Sequence, residues 1–293
     1  MESLLIVGTG DIARRALPGL DRRYETLALV RGADSGPAVE ALGARTAVGD
    51  LDRPETLAPL AGRADAVLHL APPDETRAGD TRTRNLIATL SGAGMLPRRL
   101  VYISTSGVYG DCGGERVDES RPVKPASARG ARRVDAEHAL REWSERAGVK
   151  LTILRVPGIY ATDRLPLERL KRGTPVLRVE DDVYTNHVHA DDLAAICVRA
   201  LEPNAPPGIY NAADDSELKM GEWFDLVADR VGLPRPPRIA RAEAAGAISP
   251  MLLSFMSESR RLVNTRMKEV LGIRLRYPTV FDGVPHAIPA RAL

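Results

Sequence analysis

Gly8-Thr9-Gly10-Asp11-Ile12-Ala13 directly follows the apolar run Leu4-Leu5-Ile6-Val7 and precedes a stretch with apolar residues at helical spacing. A strand, a tight glycine turn and a helix start, in that order, suit the grip of a diphosphate. Gly8 permits the turn, Gly10 lets the main chain approach the phosphates, and Ala13 is small enough for helix-on-strand packing. The helix start then directs free N–H groups and partial positive charge at the anion. Gly8, Thr9, Gly10, Asp11 and Ile12 are therefore expected at a nucleotide site.

Two further groups of residues carry chemistry. Arg129 and Arg133 stand at i and i+4, on one helix face, where guanidinium groups can clamp a carboxylate or phosphate. Beside Asp135 and Glu137 in an arginine-rich chain, they can equally be a solvated pair. His187 and His189 flank Val188, so an extended backbone turns both rings to one side, with Asp191 and Asp192 just beyond. A metal centre is one use of that arrangement, but no metal is expected. An unperturbed imidazole titrates near neutrality, which makes His187 a candidate acid.

The elements that must position these residues read as parallel βαβ units. Apolar runs at Leu4–Val7, Thr26–Val30, Ala47-Val48, Ala66–Leu70, Leu100–Ser104 and Leu151–Leu154 alternate with helical patterns around Ile12–Leu20, Glu55–Leu60, Thr81–Leu90 and Arg129–Arg146. In the last of these, Ala136, Leu140, Trp143 and Ala147 mark a buried face. The series predicts a doubly wound parallel α/β sheet with its ligand beyond the carboxyl ends of the strands. After Tyr160 the pattern loosens, with a short strand near Val176–Val179, a turn at Asp181-Asp182, a helix Ala190–Ala200, a strand Gly208–Asn211 and a break at Leu233–Pro237. Residues 1–160 and 186–210 are expected to form the sheet domain, and 161–185 and 211–293 a smaller substrate-binding domain.

With 293 residues, 44% of them hydrophobic, the chain can bury one large core or two modest ones. A formal net charge of +2 from 41 basic and 39 acidic residues gives no reason to expect nucleic acid as a partner. Cys112 and Cys197 form no Cys-x-x-Cys, consistent with a reducing, cytoplasmic setting. No run approaches the roughly 18–20 apolar residues of a membrane span, so no membrane partner is expected. Aromatic residues make up only 4% and offer no obvious stacking platform.

Several strings, in order along nearly the whole chain, resemble the extended and atypical short-chain dehydrogenase/reductases, the group of nucleotide-sugar epimerases and dehydratases. Gly8–Ala13 is similar to the family's glycine motif, Gly49-Asp50-Leu51 to its adenine-side turn, and His69-Leu70-Ala71 to the end of its fourth strand. Val101–Gly110 resembles the fifth strand and the VYG segment, and Leu154–Tyr160 the next strand with the nicotinamide-side loop. His189–Ala194, Ile209-Tyr210-Asn211 and Tyr277-Pro278 resemble later landmarks, and the resemblance implies that His189 ties its segment to its neighbours. The resemblance implies a Rossmann sheet, a nicotinamide dinucleotide and oxidoreductase or epimerase chemistry on a small polar metabolite, with a homodimer possible. Arg31, Asp50, Leu51, Leu70, Ala71, Pro72 and Pro157 would join the cofactor site, and Ser106, Arg129, Tyr160, Asn186 and His187 would meet substrate.

One departure matters. Aligning on Ala136-Glu137 puts Arg129 and Arg133 where the family's YxxxK motif has its tyrosine and lysine. A guanidinium stays protonated at any ordinary pH, so Arg129 cannot be the general base. The candidates that remain are Thr105, whose hydroxyl can bond the reacting oxygen, Arg133 as fixed positive charge, and Tyr109 as a substitute phenol. The alternative is a protein that binds a dinucleotide without turning it over and regulates a partner. An acidic residue for the ribose hydroxyls of NAD is missing between Ala28 and Val30, and Arg31 suits a 2′-phosphate, so NADP is expected over NAD, with Asp34 the competing feature.

Overall fold

Leu4, Leu5, Ile6 and Val7 are all fully buried, and alternate members face opposite sides of one sheet. Only a strand covered on both faces can accommodate such a run. The computed structural model describes residues 1–92 and 94–285. β1 (Glu2–Val7) leads into α1 (Asp11–Ala16), and β2 (Tyr24–Val30), α2 (Pro37–Glu40) and β3 (Arg45–Val48) complete one half of the sheet. β4 (Ala66–His69), α3 (Thr81–Ser91), β5 (Arg99–Thr105), the short β6 (Arg116–Val117), α4 (Ala128–Ala147) and β7 (Lys150–Val156) build the other. Short strands β8 (Gly158–Tyr160), β9 (Val176–Leu177), β10 (Tyr184–Thr185) and β11 (His187–His189), with α5 (Leu167–Lys171), lead to α6 (Ala190–Ala200) and β12 (Gly208–Asn211). β13 (Leu218–Lys219), α7 (Met220–Val231), β14 (Arg238–Ile239), α8 (Arg241–Ala247), α9 (Pro250–Phe255) and β15 (Arg261–Leu262) follow.

Seven strands form the parallel sheet in the order β3-β2-β1-β4-β5-β7-β12. This is the expected doubly wound fold. The chain winds outward from β1 to β3, then resumes on the other side at β4, which places the switch point between β1 and β4, where ligands of such sheets bind. One apolar cluster packs α1 and α6 on one face, a second packs α3 and α4 on the other, and a third joins Tyr160 and Leu177 to Trp223, Phe224 and Leu252. Trp143 belongs to the second, its Nε1 donating to Ser91 Oγ at 2.9 Å, so it is a core residue.

Differences from the expected elements have local causes. α1 stops at Ala16 and tightens into a 3-10 turn at Leu17–Gly19, where Pro18 cannot extend the helix. Pro54 and Pro59 likewise turn Pro54–Leu60 into 3-10 helix. The strand near Val176 closes after Leu177.

Candidate functional site

The glycine turn is built by a close approach. Gly8 has φ +99°, and a Cβ there would lie 2.5 Å from the Ala71 amide nitrogen, so the turn presses on the chain leaving β4. Gly10 has ordinary φ, −73°, and a Cβ on it would meet nothing within 4 Å. Its neighbourhood is open on the side a ligand would take. Gly8, Thr9, Gly10, Arg31, Asp50, Leu51, Ala71 and Pro72 line a cleft of about 360 Å³ at the switch point. Four expected cofactor residues sit otherwise, and one of them, Pro157, lines a separate cavity. The Ile12 side chain is buried in the core beneath the turn, Leu70 packs against that core, and the Asp11 carboxylate accepts from Arg15 Nε at 2.8 Å and Arg164 Nη1 at 3.0 Å. Gly49, of the adenine-side turn, also lines the cleft, as do Ser35 and Arg82, which were missed. Arg82 is fixed by Asp52 at 2.6 Å and the Pro72 carbonyl at 3.1 Å, contacts no spacing rule announces.

A second cavity, of about 770 Å³, opens at the carboxyl ends of β5 and β7, with Thr105, Ser106, Arg129, Pro157, Tyr160, Asn186 and His187 in its wall. Ser127 Oγ caps α4 by accepting from Gly130 N at 3.1 Å. A Cβ on Gly130 would meet Gly107 O at 2.7 Å, so glycine there lets the first turn of α4 lie against the loop after β5 and brings Arg129 into the cavity. Thr105 Oγ1 accepts from Gly107 N at 3.2 Å, which leaves its O–H free to donate. Tyr160 donates to the Thr279 carbonyl at 3.2 Å and sets its ring edge against Trp223 and His187.

Three expected roles are corrected by these contacts, those of Tyr109, Arg133 and His187 as an acid, while Asn186 lies in the cavity wall. Tyr109 is buried outside the cavity; its hydroxyl donates to Asn211 Oδ1 at 2.8 Å, its ring lies under Arg155, and burial pushes its pKa up to about 12. It packs and does not supply the missing phenol. Arg133 spends Nη1 on the Ile103 carbonyl at 2.6 Å and the Tyr102 hydroxyl at 2.9 Å, so it ties α4 to β5 and lines neither cavity. The Asn186 amide donates to Arg260 O at 2.9 Å and accepts from Leu262 N at 2.7 Å, a main-chain clamp at the cavity wall. His187 is buried against Trp223 at 4.4 Å between ring centroids, and burial drops its pKa to about 3, so its imidazole is neutral and is no acid near pH 7.

His189 and its neighbours form the tie. The His189 ring accepts from Asp191 N at 3.2 Å and stacks on Tyr277 at 3.9 Å, while Asp192 accepts from Arg276 N at 2.8 Å and Tyr277 N at 2.9 Å. Among the described residues no three His, Cys, Asp or Glu side chains gather as a metal site. Sequence reasoning also missed the aromatic character of the cavity: Tyr160, Tyr184, Trp223, Phe224 and Phe255 line it, five of the chain's twelve Phe, Trp and Tyr residues. They converge from distant elements, so low overall content concealed a stacking surface.

A deeper group holds these parts in register. Glu137 of α4 accepts from Arg155 Nη2 of β7 at 2.8 Å and from the Ser104 hydroxyl of β5, all three side chains buried. A glutamate on the apolar face of α4 was the available signal.

Residues 8–204 match the model of a family described as NAD(P)H-binding. The chain belongs to that NAD(P)H-binding family. A Streptomyces relative, "3-diazoavenalumate denitrifying reductase", is 29% identical over 97% of this chain and 99% of its own. A Stigmatella aurantiaca relative, "4-hydroxy-2-methyl-3-oxo-4-farnesyl-3,4-dihydroquinoline-1-oxide ketoreductase", is 28% identical over 83% of this chain and 79% of its own. A functionally unknown conserved protein from Silicibacter pomeroyi superposes with a TM-score of 0.81 at 29% identity over 97% of each chain. UDP-glucose 4-epimerases share the fold of this NAD(P)H-binding protein at 17% and 21% identity. The short-chain dehydrogenase/reductase resemblance, epimerase/dehydratase-like, therefore stands. No helix among the described residues is long and apolar enough to cross a membrane.

Proposed function

We propose that this chain is an NADPH-dependent reductase of a small molecule held in the Thr105 cavity. One observation carries the reading: the glycine-turn cleft at β1 and β4 and the aromatic cavity at β5 and β7 open at the same carboxyl edge, on neighbouring strands. The residues present fit the dinucleotide, since Gly8 and Ala71 shape the cleft and Gly10 leaves its surface bare. When bound, NADPH supplies the hydride. Residues 161–185 and 211–285 serve as the substrate-side unit, residues 286–293 of the expected span lying outside the described residues, and Thr105, with Ser106 beside it, offers a hydroxyl to the substrate oxygen. With Tyr109 and His187 excluded as acids, the proton reaches that oxygen from water. Relatives named as reductases support this direction of chemistry over epimerisation.

Arg31 lies exposed in the cleft with Ser35, whereas Asp34 does not line it. NADPH is expected to bind at least tenfold more tightly than NADH in parallel calorimetric titrations, and Arg31→Ser to remove about 1.4 kcal/mol of NADPH affinity while sparing NADH. Tenfold tighter NADH binding contradicts this. For the function itself the assay is NADPH oxidation across a panel of aldehydes and ketones. Turnover of at least one is expected; bound NADPH with a silent panel supports the regulatory reading that Arg129 and Arg133 motivate at the YxxxK positions.

A further inference from the structure

The cavity wall holds more positive charge than it neutralises. Arg260 is engaged, donating to Glu258 Oε2 at 2.8 Å and to the Gly110 carbonyl at 2.7 Å, and Arg164 is paired with Asp11. Arg129 differs. It is half-buried, its guanidinium lies 4.2 Å from the Phe255 ring centroid, and among the described residues no acceptor is hydrogen-bonded to it. Stacking covers one face and leaves the in-plane N–H groups to be used, the geometry that suits a carboxylate edge. Burial and the nearby Arg133 and Arg260 disfavour its charge, with Glu258 partly opposing them. An anion arriving there relieves that cost, and the partial exclusion of water strengthens the contact.

The rest of the wall specifies what the anion is attached to. Trp223 and His187 form a tilted stack at 4.4 Å, Tyr160 sets its edge to Trp223 at 5.4 Å, and Phe255 closes the Arg129 end. Such walls accept a flat, apolar body. Glu258 lies near Arg129 but is already paired with Arg260 at 2.8 Å, which leaves the Arg129 guanidinium for an incoming acceptor. We propose that the substrate is a planar, conjugated monocarboxylate whose carboxylate is bound by Arg129 and whose plane packs between Phe255 and the Trp223–His187 stack. This rests on the reductase reading above and narrows its substrate class.

The test is calorimetry on the full chain saturated with NADPH, using trans-cinnamate and its neutral isostere cinnamamide. Cinnamate is expected to bind about twentyfold more tightly, the usual scale of one charge-assisted contact. Arg129→Gln should bring the ratio to within about twofold with NADPH affinity unchanged, which also reports that the variant is folded; Arg129→Lys should give an intermediate ratio. Equal binding of the two probes, no heat with cinnamate, an undiminished ratio in Arg129→Gln, or tighter binding of UDP-glucose than of cinnamate overturns the proposal. Failure of NADPH to bind the wild-type protein sinks the reductase reading instead, and the cinnamate ratio measured without dinucleotide still decides the anion site.

Discussion

Gly8→Ala is expected to weaken NADPH binding by at least about a hundredfold, roughly 2.7 kcal/mol, in a fluorescence titration. The new Cβ would sit 2.5 Å from Ala71 N and 2.9 Å from both Ala71 Cα and Leu70 C, all main-chain atoms that cannot rotate away. At φ +99° an L-residue also carries strain on the order of 1–3 kcal/mol. Relief requires moving the turn off the end of β4, and the cleft is the space between them. Gly10→Ala is the control. With φ −73° and no protein atom within 4 Å of its Cβ, it should leave thermal stability unchanged and lower only NADPH affinity. Equal NADPH affinity in Gly8→Ala and the wild type would mean that the turn does not hold the dinucleotide.

Glu137→Ala should cost about 3–5 kcal/mol in urea denaturation, the range for stranding one member of a buried ion pair. Arg155 is buried and already has Nη1 without a partner, so loss of Glu137 removes its ion-pair partner and leaves its charge over the Tyr109 ring. The double variant Glu137→Met with Arg155→Met should recover much of that loss, because both desolvation costs vanish together. Since Ser104 precedes Thr105 and α4 carries Arg129, the single variant should also loosen the cavity wall. Additive losses in the double variant contradict the pairing.

What was legible in the sequence followed from local rules. The glycine turn announced itself by spacing, and α6 and β12 end where expected because His189 caps the helix and a short apolar run bounds the strand. Parallel strands buried on both faces read as continuous apolar runs, so the sheet was legible from β1 to β7. The cavity was not. Phe255, Trp223 and Tyr160 converge from α9, α7 and β8, and their distances in sequence carry no period. Tyr109 and Arg133 were read toward the ligand from their positions in a motif, whereas Asn211, Tyr102 and the Ile103 carbonyl claim them. Long-range polar partners decide side-chain direction, and no window of sequence contains both partners.

The central claim is that hydride leaves NADPH inside the Thr105 cavity. A single-turnover reaction of the full chain, loaded with NADPH deuterated at the transferable C4 position and mixed with the carbonyl panel, tests it by mass spectrometry. Deuterium in the reduced product, lost in Gly8→Ala, is the predicted result. Stoichiometric NADPH binding with no label transferred to any acceptor would contradict the account.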